Sequence, residues 1–381
     1  MVDATNTPKG ASSSDKDEAG SPLRSKTASP VGRVSSESAR EEARATEIEV
    51  DEASLDDAST INSRMYELPD SKAPTDDAHL LAPLIPRLYH QAFLITRRRT
   101  EDATTLSELE REMDRLDFNH MLMCKLAGGP TGPKLFLAPI ETEKIKNILD
   151  IGTGTGVWSI EAAEVFPNAK ITGNDLSAIQ PSWVPPNVQF EIDDVESPWA
   201  NSAKYDFIYC RYMLGCISDW PKLVSNAYEN LEEDGWVEFQ DYDLTHYSDD
   251  GTLTADHETL KWANGFIRAC DTIGRDARPG SKLETWIRDA GFVDVVHHVR
   301  KLPIGPWAKD PHYKDLGMIQ LIQLLEGMEA FTLRLFCDVL GWTREECLVM
   351  LSTVRNELKS NEFHAQMDLH VVYARKPVSK K

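Results

Sequence analysis

The chain has 381 residues, of which 41 are Lys or Arg and 62 are Asp or Glu, giving a net charge of −21. So acidic a chain is ill suited to gripping a phosphate backbone, which takes clustered basic side chains, and direct nucleic-acid binding is set aside. Hydrophobic residues make up 41%, enough for a sizeable core, but no apolar run approaches the roughly 18–20 residues of a membrane span, and no secretory signal is expected from the start, MVDATNTPKG.

Cys124, Cys210, Cys216, Cys270, Cys337 and Cys347 form no CxxC pair. That argues against a metal site or a disulfide framework and fits a reducing compartment, cytoplasmic or nuclear. Residues 1–65 contain no Phe, Tyr or Trp, and acidic residues gather between Glu41 and Asp57. Such a segment cannot bury enough apolar surface to offset about 1–2 kcal/mol of backbone entropy per residue, so a disordered tail is predicted. It is either a solvated leader or, through Ser25, Ser29 and Ser35, a phosphorylated regulatory tail able to meet protein partners.

Residues 66–139 read as an irregular helical segment. Leu81, Leu84, Ile85 and Leu88 have helical spacing that Pro83 and Pro86 interrupt, and Arg97, Arg98 and Arg99 are either a solvated face or part of a nuclear import signal. A cleaner helix is predicted from about 106 to 126, on the spacing of Leu109, Met113, Leu116 and Met123, with Gly128, Gly129 and Pro130 stopping it. Strands are then expected at 146–151, 170–174, 188–192, 205–210 and 236–240, with helices at 157–166 and 221–231. Short apolar strands separated by helices imply an α/β fold with a doubly wound parallel sheet, here placed in a domain spanning 140–377. Beyond Tyr242 the pattern turns to helices at 255–273 and 281–290, a strand from Phe292 to Val299, near-continuous helix over 313–360, and a last strand from Leu369 to Ala374. Thr343 and Glu346 make a capping box. The block at 313–360 is placed to be a lid over a substrate site.

The segment ILDIGTGTG, residues 148–156, runs a strand into Gly152, Gly154 and Gly156. Glycines remove the β-carbons that would collide with a ligand near the backbone, although dinucleotide enzymes share such a turn. The spacing leaves Gly156 one position early for GxGxxG, and Asp150 before the turn suits a ligand carrying an amino group. Asp175 closes the second strand 23 residues after Gly152, where a carboxylate can accept both hydroxyls of a ribose. Asp193, Asp194 and Val195 close the third strand, where a carboxylate can take the amino group of adenine. Each acid alone is equally a helix cap or a turn residue. Together, at three successive strand ends, they describe S-adenosyl-L-methionine.

The chain resembles class I S-adenosylmethionine-dependent methyltransferases, and more narrowly the fungal LaeA-like group. The resemblance lies in MDRLDFNHMLM (113–123), KLFLAPI (134–140), ILDIGTGTGVWSI (148–160), NDLSAIQPSWVPPNVQFEIDDVESPW (174–199), ISDWPKL (217–223), KLPIGPWAKDP (301–311), VLGWTREE (339–346) and HAQMDLHVVYARKP (364–377). It implies a seven-stranded, Rossmann-like sheet whose last strand is antiparallel. It also implies that Asp150 and the turn Gly152, Thr153, Gly154 and Gly156 cradle the methionine part, Asp175 the ribose, and Asp194 and Val195 the adenine, with Leu176 and Asp193 further cofactor-binding residues. One departure is a stretch of about forty residues, roughly Ser71 to Glu110, between the Tyr-x-Leu-Pro region and the acidic Asp-Arg-Leu helix. It is either a genuine lid element or an error of the gene model.

Methyl transfer is an in-line displacement that alignment and desolvation can drive, so a base is needed only where the acceptor must lose a proton. His246, after the fifth strand, is the candidate base, against the alternative of an exposed loop histidine. Of His297 and His298, one is expected to face inward as a satisfied core residue. Trp158, Tyr209, Arg211 and Tyr242 either line a substrate pocket or pack, and Trp183, Trp199 and Trp307 are read as structural. Two functions compete: methylation of a small-molecule secondary metabolite on O, N or S, and a LaeA-type nuclear regulator that binds S-adenosylmethionine and partner proteins.

Overall fold

A computed structural model of the chain describes residues 47–51, 103–199 and 204–379. The expected acidic tail, apart from 47–51, the basic triplet at 97–99 and most of the 71–110 stretch lie outside the described residues. Helix α1 (Ala103–Gly128) comes first, followed by β1 (Asn147–Ile151), α2 (Val157–Val165), β2 (Lys170–Asp175), β3 (Val188–Ile192), β4 (Tyr205–Arg211), α3 (Trp220–Asn230) and β5 (Leu231–Tyr247). Then come α4 (Glu258–Thr272), α5 (Leu283–Asp289), β6 (Val293–Pro303), α6 (Pro311–Leu333), a π-helical turn (Arg334–Val339), α7 (Arg344–Ser360) and β7 (Gln366–Arg375). Among the described residues no helix is long and apolar enough to cross a membrane.

The seven strands form one sheet in the order β3-β2-β1-β4-β5-β7-β6. The first five run parallel, and β7 slots between β5 and β6 antiparallel to both. Sequence reading anticipated this class and the reversed last strand. Successive residues of a strand point to opposite faces, and here both faces are apolar. Leu149, Ile208 and Cys210 join one core cluster, while Ile148, Phe207 and Tyr209 join another with Trp158 and Phe166. A sheet buried on both sides favours apolar strands, which is why Ile148 and Leu149 of β1 and Phe207 to Cys210 of β4 read as hydrophobic runs.

The capping box opens α7 as expected, and Cys347, Leu351, Val354 and Leu358 are all buried on one face. That helix is nevertheless not the roof of the cavity described below. The roof is built from α1, α4 and α6, and no residue of α7 lines it. Of the 313–360 block placed as a lid, α6 contributes to the roof, and the second half of the block packs behind the first. Glycine makes this packing possible, because a β-carbon on Gly265 of α4 would lie 2.4 Å from the Phe336 ring in the π turn. Trp262 of α4 donates its indole N–H to Thr332 of α6 at 2.7 Å, locking the two roof helices together.

Candidate functional site

After Ile151 the chain turns through Gly152 (φ 69°), Gly154 (φ 57°) and Gly156 (φ 83°) into α2. A β-carbon on Gly152 would lie 2.3 Å from Met213 Sδ, and one on Gly156 2.3 Å from the Phe190 ring. One on Gly154 would meet only Leu116, at 3.7 Å. Gly152 and Gly156 are thus small for the protein's own packing, and Gly154 leaves room on the cavity side. The amide of Thr153 donates to Asn174 O at 2.9 Å, tying the turn to β2. Asp175 accepts the Gly154 amide at 3.0 Å with Oδ2 and the Ser177 amide at 2.9 Å with Oδ1.

Two cavities adjoin this turn. The larger, of about 230 Å³, runs from Gly152, Thr153, Gly154 and Asp175 into a chamber walled by Trp262, Phe266, Leu324 and Phe331. The smaller, of about 20 Å³, shares Gly152, Asp175 and Met213 with it and is lined by Leu176, Asp193, Asp194 and Val195. The residues singled out in the sequence are therefore brought together, with two exceptions. Gly156 lines neither cavity. Asp150, expected to meet the ligand, is buried with its Oδ2 accepting the hydroxyls of Thr153 at 2.6 Å and Ser159 at 2.8 Å. It braces the turn from behind, and burial raises its pKa. Room beside Gly154, a carboxylate between the cavities and two more at the smaller one are the groups an adenosine with an amino-acid tail would need.

On the chamber side, His246 is not in a loop. Strand β5 continues to Tyr247, which pairs with Gln366 of β7, so the exposed-loop alternative is corrected. His246 is buried and lines the large cavity, its Nδ1 has no hydrogen-bond partner among the described residues, and burial lowers its pKa to about 4. Tyr242 Oη and Gln323 Nε2, both at cavity-lining residues, are likewise buried and unpartnered.

Arg211 also lines the cavity, but Trp158 and Tyr209 do not: their rings stack at 4.0 Å within the core, and Trp158 donates its indole N–H to Leu135 O at 3.0 Å. His297 is the inward member of its pair, with Nδ1 2.9 Å from Glu284 and Nε2 2.9 Å from His370, as a satisfied core histidine should be. Trp199 and Trp307 are held through indole N–H bonds to Val195 O and Ala365 O. Trp183, read as structural, is 90% exposed and packs into nothing.

Sequence reasoning missed the contribution of α1. Asp117 accepts the Thr155 hydroxyl at 2.5 Å, fastening the helix over the glycine turn. Arg115 bonds Glu112 and stands over the rings of Tyr212 and Phe331, 5.9 and 5.6 Å from their centroids, joining α1 to α6. Glu112, Arg115, Leu116, Asn119 and His120 all face the cavity. Their spacing of three and four is helical. Reading only the apolar stripe of α1 hid this polar one.

A profile for a methyltransferase domain matches residues 127–298. The methyltransferase pytC of Aspergillus terreus is 46% identical over 269 residues, covering 70% of this chain and 82% of that protein. The secondary metabolism regulator LAE1 of Cochliobolus heterostrophus is 33% identical over 274 residues, 70% of this chain and 88% of the relative. The protein-methionine methyltransferase laeA of Emericella nidulans is 32% identical over 273 residues, 71% of each chain. Among solved structures, phosphoethanolamine N-methyltransferase 2 of Haemonchus contortus, in complex with S-adenosyl-L-methionine, aligns with a TM-score of 0.41 and 19% identity over 63% of this chain and 50% of that one.

Proposed function

This chain belongs to the LaeA-like family of S-adenosylmethionine-dependent methyltransferases, and from that premise we propose that it methylates a small, largely apolar metabolite on an acidic hydroxyl. The observation that carries this reading is the chamber itself. Three buried polar groups without partners, on Tyr242, His246 and Gln323, stand among aromatic and aliphatic walls in a cavity continuous with the glycine turn. Buried polar groups are costly unless bonded, so such a set fits an occupant with matching polar atoms.

When bound, the cofactor supplies an activated methyl group on a sulfonium sulfur. Gly152, Thr153 and Gly154 would border its methionine part, Asp175 would accept the ribose hydroxyls, and Leu176, Asp193, Asp194 and Val195 would border the adenine. The helices α1, α4 and α6 exclude water, and the chamber aligns the acceptor, the main demand of an in-line displacement. His246 takes the acceptor's proton at Nδ1. A conjugate acid near pKa 4 makes it a weak base, which suits a phenolic or enolic hydroxyl rather than an ordinary alcohol.

The test adds purified protein and S-adenosylmethionine with a labelled methyl group to an extract of the source organism, beside an Asp175→Ala, Gly154→Asp double variant. Label in the solvent-extractable small molecules, absent from the control, supports the reading and identifies the product by mass. The similarity to proteins named as secondary metabolism regulators favours a second reading, a nuclear regulator that methylates protein. Label confined to the protein pellet would establish that one instead.

A further inference from the structure

Arg211 lines the cavity without a task in the roles assigned so far. The last residue of β4, it has its Nη2 2.7 Å from His120 Nδ1, its Nη1 3.7 Å from Cys124 Sγ, and its guanidinium 5.8 Å over the Tyr209 ring. None of these partners supplies a negative charge. Burial pushes the His120 imidazole down to about pKa 4 and the Cys124 thiol up. Among the described residues no carboxylate oxygen lies within 4.0 Å of the guanidinium. The carboxylates in its neighbourhood are committed elsewhere: Glu161 to His120 Nε2 at 3.0 Å, Asp150 to two hydroxyls, and Glu238 to the amides of Leu137 and Ala138. A cation withdrawn from bulk water without a carboxylate is unfavourable. A planar guanidinium facing a cavity is completed by a carboxylate that takes two parallel N–H bonds.

The location says which carboxylate. Ile151 pairs with Cys210, so the chain leaves β1 into Gly152 beside the point where β4 ends in Arg211. His120 stands one helical turn beyond Asp117, the residue that fastens α1 to Thr155. The guanidinium therefore belongs to the glycine-turn end of the cavity. The chamber lies further on, since Arg211 pairs with Gln240 and His246 is six residues beyond that along β5.

We propose that Arg211, braced by His120, is a carboxylate-binding site that anchors the methionine end of the cofactor. This rests on the S-adenosylmethionine reading and adds to it a charged anchor that the glycine turn does not contain. It explains why His120 is held neutral beside a cation: as an acceptor at Nδ1 it orients the guanidinium without competing for the anion. The carboxylate of an acidic acceptor has the same chemistry, and binding measurements separate the two sources.

The experiment is calorimetric titration of the full chain and its Arg211→Gln and Arg211→Lys variants with S-adenosylhomocysteine and with 5′-methylthioadenosine, which lacks the amino-acid end. In Arg211→Gln the affinity for S-adenosylhomocysteine is expected to fall about 10- to 100-fold, the range of a lost charge-assisted hydrogen-bond pair. Arg211→Lys should lose part of this, because a point charge cannot reproduce the two-pronged geometry. Methylthioadenosine should bind all three proteins alike, which also reports that the variants are folded. Unchanged S-adenosylhomocysteine affinity in Arg211→Gln would overturn the proposal and leave the cation to an anionic acceptor. A parallel loss for both ligands would overturn it as well, marking Arg211 as part of the scaffold. Failure of the unaltered protein to bind either ligand would instead sink the cofactor reading on which the proposal stands.

Discussion

In the glycine turn itself the polar groups are already engaged with one another, while in the chamber under α4 and α6 they wait for an occupant. Asp150 holds two hydroxyls, Asp175 two amides, and Thr153 bonds across to β2. By contrast, Tyr242, His246 and Gln323 each bury a polar atom that meets no partner among the described residues. The turn is assembled from a stretch of chain between Asp150 and Ser177, against which α1 and Arg211 of β4 are set, and the chamber from β5, α4 and α6. A site for an invariant ligand can be prebuilt from local backbone. A site that reads one particular acceptor is built from side chains brought together by the tertiary fold, and its unpaired groups record what that acceptor offers.

The comparison is broken most forcefully at the turn. Gly156→Ala should destabilise the protein by about 2–5 kcal/mol, from a left-handed backbone that disfavours a β-carbon and from collision with Phe190. The ring has little room to retreat, because it also sits 2.8 Å from where a β-carbon of Gly173 would stand. Gly154→Ala carries only the backbone strain, about 1–2 kcal/mol, but fills the cavity side of the turn. Urea unfolding and S-adenosylhomocysteine titration should thus separate the pair: one variant loses stability first, the other loses ligand while still folded. Equal losses of stability would mean that Gly154 is packed as tightly as its neighbour and is not a ligand-facing position.

At the other end, His246→Gln should leave S-adenosylhomocysteine affinity unchanged and lower kcat about 100-fold, the lower range for loss of a proton acceptor. Once the acceptor is identified by labelling, steady-state kinetics measure this directly. A drop in cofactor affinity of similar size would show that the two ends do not work separately.

Much of this architecture was legible from local pattern. The strands of the doubly wound half are short and rich in apolar residues, and the glycine turn, Asp175 and Asp193–Asp194 fall at successive strand ends. What stayed hidden was polarity satisfied at long range. The apolar pattern predicts β5 only over 236–240, since LEEDG before it and DYDLTHY after it carry five carboxylates between them. In the fold Glu238 accepts the amides of Leu137 and Ala138, and Asp241 accepts those of Met213 and Tyr242. Buried carboxylates can therefore occupy a central strand, and the strand runs on to Tyr247 and carries His246 into the chamber. The cavity-facing stripe of α1 escaped for a related reason. Arg115, Asn119 and His120 look like a solvated face until the distant Tyr212 and Arg211 are placed against them.

Those buried titratable groups give the smallest predicted effect, in which two residues of one strand oppose each other. Burial, outweighing its amide donors, lifts Glu238 to a pKa of about 7, and burial lowers that of His246 to about 4. A carboxyl group whose pKa is raised on folding contributes stability that is complete below its unfolded value, near 4.5, and is lost as pH rises through the folded one. A histidine whose pKa is lowered on folding does the reverse, contributing above about 6.5 and losing that contribution as pH falls toward 4. Between pH 7 and 5 each amounts to about 2 kcal/mol, with opposite sign. His120 and His298, both lowered to about 4 chiefly by burial, lean the same way as His246, while Asp150, Asp241 and Asp368, all raised chiefly by burial, lean with Glu238. Relative to the unaltered protein, going from pH 7 to 5 should leave His246→Gln more stable by about 2 kcal/mol and Glu238→Gln less stable by a similar amount. Urea unfolding at pH 5, 6 and 7 reads the slopes. Three parallel lines would mean that neither residue is shifted, and that the chamber around His246 is wet enough to solvate an imidazolium before any acceptor enters.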